Sequence, residues 1–229
     1  YRTFGSACAL FALATLAINV LALPQTWPPT TGTRAKRKSL FGYGEIATRR
    51  PVIMLTLLRF LPTLYWGMAL VLIPLLLDAT AATKTTIALY ATLSQVFAAL
   101  SQVAAGRAAD RLGARWPTLA VLISLVVGIL GIGVYPRQRL ALFAFGTLST
   151  AAAWSLSALL PLWTARIAPP QERGRILGWV HLWWNAAMIA GSLAGGILMR
   201  RWISLPFLIA GWIKLSTPAF LQVLLEEPV

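Results

Sequence analysis

The distribution of hydrophobic residues divides this chain of 229 residues into seven long apolar segments separated by polar connections. A helix of about 20 residues is long enough to cross a bilayer, and no segment shows the alternation typical of a membrane barrel strand. Lipid offers no partners to free backbone groups, so the pattern predicts seven transmembrane helices. They lie at about 4–23, 52–77, 85–105, 117–135, 140–165, 176–199 and 203–225.

The connections predict how these helices pack. Residues 24–50 form the one long connection, which is rich in Pro and Thr and then in Lys and Arg. The other connections are short, which favours antiparallel neighbours packed side by side. The predicted fold class is therefore all-α, a polytopic membrane helix bundle.

Composition and charge agree with a membrane protein. The chain is 58% hydrophobic and 11% charged, with a net charge of +14, and its basic residues cluster between the apolar spans. This arrangement is a topology signal rather than a nucleic-acid surface. The side of residues 24–50 holds most of the Lys and Arg, which predicts that it is cytoplasmic. We expect an integral membrane protein, in the cell (inner) membrane, with the N-terminus of this chain outside and its C-terminus cytoplasmic.

Residues suited to enzyme chemistry are scarce. Cys8 and His181 are the only cysteine and histidine, which excludes an intrachain disulfide, a Cys/His metal set and a histidine-based triad. No Asp or Glu lies inside a predicted span, since Asp78 stands at a span end. We expect no catalytic residues, metal or cofactor, and no enzyme activity.

The connection between the third and fourth spans carries the most specific motif. Gly106, Asp110, Arg111, Gly113 and Arg115 form the pattern Gly-x-x-x-Asp-Arg-x-Gly-x-Arg in what we expect to be a ten-residue loop. The pattern resembles the signature loop of the major facilitator superfamily, although alanine follows the second glycine where that family usually has a basic residue. We expect Asp110 to pair with Arg111, Arg115 or a neighbouring arginine such as Arg173 and to gate the cytoplasmic side. The alternative is that these arginines only set the topology.

The resemblance implies one half of a facilitator fold. Residues 1–23 resemble the last helix of the N-terminal half, residues 24–50 the cytoplasmic central loop and residues 51–229 the C-terminal six-helix transmembrane domain. We expect the chain, which begins at Tyr1, to be a fragment of a longer protein. Its partners would be the missing N-terminal half, the lipid bilayer and a small-molecule substrate. The implied function is a secondary active transporter that moves a small solute by alternating access.

The resemblance also indicates which residues line the substrate cavity. Three of these residues have an alternative interpretation. Arg59 could extend its side chain back to the headgroups, and the amides of Gln95 and Asn185 could bond across helices. Trp163, near a span end, is interpreted as an interface residue. The substrate-cavity candidates are Arg59, Thr63, Trp66, Gln95, Thr150, Trp154 and Asn185.

Gly191, Gly195 and Gly196 are similar to a glycine motif of the family's exporters, which weakly favours efflux. The alternative is that these small residues only let two helix backbones approach closely.

Other functions stay open. An ion-independent facilitator, or a transporter-like receptor or scaffold without transport, would fit the same helices. Lys214 in the last of seven spans would also suit a retinal protein, but a protonated Schiff base needs a nearby carboxylate and no span contains one. The sequence specifies neither the substrate, the direction of transport, the coupling ion nor the oligomeric state.

Overall fold

The computed structural model describes residues 43–214 and, of the preceding residues, only Leu13. The chain divides into two units, residues 1–42 and 43–229. The predicted span at 4–23, residues 24–42 of the predicted central loop and the part of the last predicted span beyond Lys214 lie outside the described residues. The predicted division into domains therefore stays a prediction.

The second unit is built from helices throughout its described part, with no strand among residues 43–214. Helices α2 to α6 are each long and apolar enough to cross a membrane. The five corresponding spans and the all-α fold class are therefore confirmed, while α7 covers the first part of the last span. The helices are α1 (Gly44–Ala47), α2 (Arg50–Ala79), α3 (Lys84–Leu112), α4 (Arg115–Val134), α5 (Arg139–Ile167), α6 (Arg173–Arg201) and α7 (Leu205–Lys214).

The turn between α3 and α4 is shorter than predicted. The expectation of a ten-residue loop at 106–115 is wrong, because α3 continues through Gly106, Asp110 and Arg111 to Leu112. Gly113 has a φ of +75°, a left-handed value that glycine adopts without steric penalty. Two residues, 113 and 114, are therefore enough to reverse the chain.

The principal packing partners are mostly not neighbours in sequence. Helix α2 packs chiefly against α6, and α3 against α5, whereas α2 and α3 barely touch each other. Among consecutive helices, α4 and α5 pack extensively. The expectation that consecutive helices pack side by side is thus wrong for most pairs. The short connections make consecutive helices run antiparallel. Small residues on the facing surfaces of two helices determine which helices pack closely against each other.

The clearest small-residue contact joins α2 and α6. A Cβ added at Gly67 would collide with the Met188 carbonyl, and one added at Gly191 would collide with the Leu64 carbonyl. The Ser192 hydroxyl lies 3.0 Å from the Gly67 carbonyl oxygen and 2.9 Å from the Met188 carbonyl oxygen. We call these five residues the α2–α6 seam, where glycine allows the two backbones to touch.

Trp163 belongs to the core. Its side chain is only 1% exposed, and its Nε1 donates to Thr118 Oγ1 at 3.0 Å. The interpretation of Trp163 as an interface residue is wrong, because α5 turns this position towards α4 and Thr118 supplies the hydrogen-bond acceptor that a buried indole requires.

The helices alternate in direction and define two ends of the bundle. The Arg49 end carries the connections at 48–49, 113–114 and 168–172, and the Thr80 end carries those at 80–83, 135–138 and 202–204. Arg139 Nη2 donates to the Thr80 carbonyl at 2.8 Å and ties the start of α5 to the connection at 80–83. Helices α2 and α6 run in the same direction, from the Arg49 end to the Thr80 end.

Candidate functional site

A narrow cleft lies between α2, α5 and α6, on the Arg49 side of the α2–α6 seam. It has an empty volume of about 270 Å³, of which about 10 Å³ is open to the centre of a water-sized molecule. This is room for about one water. The cleft is lined by Arg59, Pro62, Thr63, Trp66, Ala153, Trp154, Ser157 and Trp184.

The local sequence of α2 prepares this wall of the cleft. Pro62 lacks a backbone N–H and so interrupts the hydrogen-bond ladder of the helix. The Thr63 hydroxyl donates to the Arg59 carbonyl at 2.7 Å, an arrangement by which threonine satisfies a carbonyl of its own helix. The Thr63 side chain is therefore occupied by the backbone, although it lines the cleft.

Arg59 is the charged residue of the cleft. Its side chain is buried, with 8% of the residue exposed, so it does not extend to a headgroup surface in this structure. The guanidinium carbon lies 5.8 Å from the centre of the Trp184 ring, within the range of a cation–π interaction. Its Nε has no hydrogen-bond partner.

Two further polar groups of the cleft lack partners. Trp154 Nε1 and Ser157 Oγ are both buried without a hydrogen bond. The Trp66 and Trp154 rings meet edge to face, with centroids 6.1 Å apart, which is a favoured aromatic geometry. The cleft thus combines aromatic walls with unpaired polar atoms.

A second cavity adjoins the cleft across Trp66. It has an empty volume of about 450 Å³, and its lining includes Gln95 and Thr150 together with Tyr90 and Ser94. The structure therefore distributes six of the seven substrate-cavity candidates over two adjoining spaces that share Trp66. Their contact with a substrate remains a prediction.

Asn185 lies outside both spaces. Its Nδ2 donates to the His181 carbonyl at 2.9 Å, four residues earlier on the same helix. The alternative bond across helices is absent among the described residues, because the amide is exposed and satisfied within α6. The predicted position in the substrate cavity stays a prediction.

The three glycines of the exporter-like motif have different surroundings. Gly191 lies in the α2–α6 seam, and a Cβ at Gly195 would stand 3.0 Å from Met68 Cγ. No described atom lies within 4 Å of the position where a Gly196 Cβ would be. Gly196 therefore makes no close contact with another described helix, and its predicted packing role stays a prediction.

A second buried cation lies beside the cleft on α7. Lys214 is 2% exposed, and its Nζ has no hydrogen-bond partner. It lies 5.7 Å from the centre of the Tyr65 ring and within electrostatic range of Arg59. The Tyr65 hydroxyl donates to Ser149 Oγ at 2.7 Å. The sequence placed a lysine in the last span, but only the structure shows that it is buried near Arg59.

An ion pair that the sequence analysis missed joins α2 and α6 at the Arg49 end. Arg49 Nη1 donates to Glu172 Oε2, and Nη2 lies 3.4 Å from Oε1. Glu45 approaches the same guanidinium at 3.6 Å. The hydrogen bond to Glu172, assisted by both carboxylate charges, raises the pKa of Arg49 above its ordinary value. In the sequence this pair is indicated only by Glu172, a single acidic residue in a short connection flanked by Arg166, Arg173 and Arg175.

Asp110 does not form the predicted pairs. It is exposed on α3 next to the buried Ala109, and it makes no ion pair with the described residues. Residues one position apart on a helix do not face each other, so Arg111 points elsewhere. Arg115 instead lies 5.6 Å from the centre of the neighbouring indole ring, and Arg173 donates to the carbonyls of Ala165, at the end of α5, and Ala168, just beyond it.

No group of three or more His, Cys, Asp or Glu side chains within the described part of the chain is placed to hold a metal ion.

These features define an integral membrane protein whose helix bundle encloses a polar cleft with aromatic walls. The sequence model of the Major Facilitator Superfamily matches residues 55–228. The match covers well over half of the chain, so the chain belongs to this superfamily of membrane transporters, which act on small-molecule substrates. A search of curated proteins found no match. The resemblance seen in the sequence is confirmed, and the retinal-protein alternative is set aside.

Proposed function

We propose that this chain is the second half of a secondary active transporter that moves a small solute by alternating access. The observation that supports this most is the cleft between α2, α5 and α6. It contains unpaired polar atoms of Arg59, Trp154 and Ser157 inside an apolar bundle, and polar groups inside a membrane commonly mark a substrate pathway.

The unequal burial of the helices fits a bundle that meets other apolar surfaces. In their most apolar windows, α3 and α6 have 17% of residues buried, against 56% for α2. In this proposal their open faces contact lipid and the missing N-terminal half. That half would complete the wall of the cleft, as repeats do around the substrate site of secondary transporters.

The ion pair between Arg49 and Glu172 is suited to a gate. It joins the Arg49 ends of α2 and α6, the two helices that part around the cleft. Alternating access needs two arrangements of similar energy, and a partly exposed pair worth about 0–1 kcal/mol can bias them without locking either one. We propose that this pair forms when the Arg49 end is closed and separates when it opens.

We propose that the Arg49 end faces the cytoplasm of the cell (inner) membrane. Among the described residues it holds the larger share of positive charge, which follows the positive-inside rule. Asp110 and Arg111 are exposed at this end and are available there to groups of the first half, so a gating role for the signature turn remains part of the proposal. Residues of the Arg49 end are Arg49, Arg50, Arg107, Arg111, Arg115, Arg166, Arg173 and Arg175, against Lys84, Arg137, Arg139, Arg200 and Arg201 at the Thr80 end.

A facilitator without ion coupling is the second candidate. Among the described residues, Asp and Glu occur only in the short α1, in a connection or within three residues of a helix end, so this part of the chain offers no carboxylate deep inside the membrane to carry a coupled proton. A coupling group would then have to lie elsewhere in the full-length protein.

Transport by the full-length protein in proteoliposomes tests the proposal. Vesicles are given a panel of small solutes with and without a proton gradient, and internal solutes are measured by mass spectrometry. We expect uptake that Trp154→Ala abolishes and that Trp202→Ala, at an exposed position of the Thr80 end, preserves. Accumulation only with the gradient indicates secondary active transport, and equilibration without it indicates the facilitator. Entry no faster than into protein-free vesicles would refute transport.

A further inference from the structure

The buried charges of the described bundle are all positive. Arg59 and Lys214 are its buried charged residues, and no carboxylate is buried with them. A buried charge without a partner is strongly unfavourable. Arginine does not escape this penalty by losing its proton, because its guanidinium stays protonated in proteins. The arrangement therefore calls for negative charge that residues 43–214 do not supply.

The polar atoms of the cleft are mostly donors. The guanidinium of Arg59 and the indole Nε1 of Trp154 can donate hydrogen bonds but cannot accept them. The Ser157 hydroxyl can do either, whereas the Thr63 hydroxyl is already bonded to the backbone. Arg59 Nε, Trp154 Nε1 and Ser157 Oγ are buried and unpaired in one cleft. A molecule that satisfies them must present acceptor oxygens.

The geometry of the two spaces indicates how such a molecule would fit. The cleft has room for about one water-sized group, while the adjoining space beyond Trp66 is larger and has mostly apolar walls. One oxygen of a small charged group would enter the cleft, and the rest of the molecule would lie beyond Trp66. The planar guanidinium fork matches the paired oxygens of a carboxylate or phosphate.

We propose that the transported solute is a small organic anion whose carboxylate or phosphate group binds Arg59, with Trp154 Nε1 and Ser157 Oγ donating to the same group. This inference rests on the proposed transport function and adds the charge class of the substrate. It also assigns the three side chains that recognise it.

The test uses the full-length protein and solutes matched in carbon skeleton. Lactate is compared with propane-1,2-diol, benzoate with benzamide, and glucose 6-phosphate with glucose. Binding is measured in detergent by the shift in thermal unfolding, and transport in proteoliposomes by mass spectrometry. We expect at least one anion to bind at a concentration at least tenfold lower than its neutral partner. The carboxylate and phosphate pairs separate the two anionic groups.

Variants then locate the charge recognition. Hydrogen bonds to charged groups are stronger than those between neutral groups. Arg59→Gln should therefore weaken anion binding about tenfold to a hundredfold, and Arg59→Lys, which keeps the charge but loses the fork, should weaken it less. Ser157→Ala and Trp154→Phe should each weaken it about threefold to tenfold. Arg200→Gln, which removes an exposed cation at the Thr80 end, is the control and should leave binding unchanged.

The outcomes separate this inference from the proposed function. If an anion stabilises the protein through Arg59 but no solute moves, the anion site stands and transport fails. If neutral or cationic solutes are transported and Arg59→Gln leaves their affinity unchanged, transport stands and the anion site is overturned. It is also overturned if no anion in the panel stabilises the protein more than its neutral partner. If Arg59→Gln does not fold, Ser157→Ala and Trp154→Phe decide the question. Weaker anion binding in both variants supports the anion site, and unchanged binding in both overturns it.

Discussion

Helices α2 and α6 meet at two levels that differ in how their polar groups are paired. At the α2–α6 seam the backbones touch at Gly67 and Gly191, and the Ser192 hydroxyl is bonded to carbonyl oxygens of both helices. Eight residues earlier on α2, about 12 Å along the helix, Arg59 faces Trp184 and the helices part around the cleft. There the Arg59 Nε has no partner.

The difference shows that a polar side chain inside a span is not by itself evidence of a binding role. Whether its polar atoms already have hydrogen-bond partners distinguishes structural positions from candidate binding positions. Both levels contain polar side chains inside apolar spans, and both look alike in the sequence. A hydroxyl that bonds to a carbonyl of its own or a neighbouring helix stabilises the bundle. A donor left without a partner away from water is unfavourable, so such a donor is a candidate contact for a ligand.

The largest expected effect concerns the seam. Gly191→Leu would place a side chain against the Leu64 carbonyl, a backbone atom that cannot rotate away, and should reduce the free energy of unfolding by on the order of 3 kcal/mol, the upper range for overpacking. Gly196→Leu is the matched control, because no described atom lies near it. Thermal unfolding of the full-length protein, followed by size-exclusion fluorescence, measures both. Equal losses in the two variants would contradict the assignment of the seam.

The next effect compares two serines of α5. Ser155 Oγ donates to Ser101 Oγ at 2.9 Å and lies 2.9 Å from the Ala151 carbonyl oxygen, whereas Ser157 Oγ has no partner. Ser155→Ala should reduce the free energy of unfolding by about 1 kcal/mol, the net value of a typical buried hydrogen bond. Ser157→Ala should leave it unchanged or raise it slightly, since an unpaired buried hydroxyl is removed. The same thermal assay without ligand distinguishes them. If Ser157→Ala reduced the free energy of unfolding more than Ser155→Ala does, Ser157 would have a structural role and not a binding role.

Much of the fold could be predicted from the sequence, because span length and the absence of alternation are local properties. Four of the five spans were predicted within three residues at both ends, whereas α3 continues seven residues past its predicted end. The motif at 106–115 identified the family. The helix partners could not be predicted, because they depend on which faces meet. Gly67 and Gly191 are separated by more than 120 residues, and nothing local indicates that each lies against the other helix.

The candidate site was predictable only in part, for a similar reason. Arg59, Thr63, Trp66 and Trp154 stand out as polar or aromatic residues inside spans, and they do line one cleft. Ser157 and Trp184 belong to the same cleft but resemble many other serines and tryptophans of the chain. Asn185 looked equivalent to them, yet its amide bonds to its own helix. Burial and hydrogen-bond pairing depend on the tertiary structure, so the sequence alone could not show which of these residues line the cleft.

The smallest expected effect concerns the ion pair at the Arg49 end, which is a further contact between α2 and α6. Glu172→Gln should reduce the free energy of unfolding by about 0–1 kcal/mol, as for other partly exposed pairs. Glu45→Gln is the control and should have a smaller effect, because Glu45 is more exposed and contacts the guanidinium at 3.6 Å. The difference between the variants should shrink in 1 M salt, where the Debye length is about 3 Å.

The pH dependence of this pair has a definite sign. The pKa of Arg49 is raised in the folded protein, so the arginine's contribution to stability is fully present below its ordinary pKa and is lost only as the pH rises through the raised value. The difference in unfolding free energy between wild type and Glu172→Gln should therefore stay constant from pH 7 to 10. In the full-length transporter Glu172→Gln should also increase labelling of a cysteine introduced at Thr56, which lies on α2 between Arg49 and the cleft, by a reagent added from the cytoplasmic side. Unchanged labelling, together with unchanged transport, would leave Arg49 and Glu172 as a surface pair that joins two helix ends without gating the cleft.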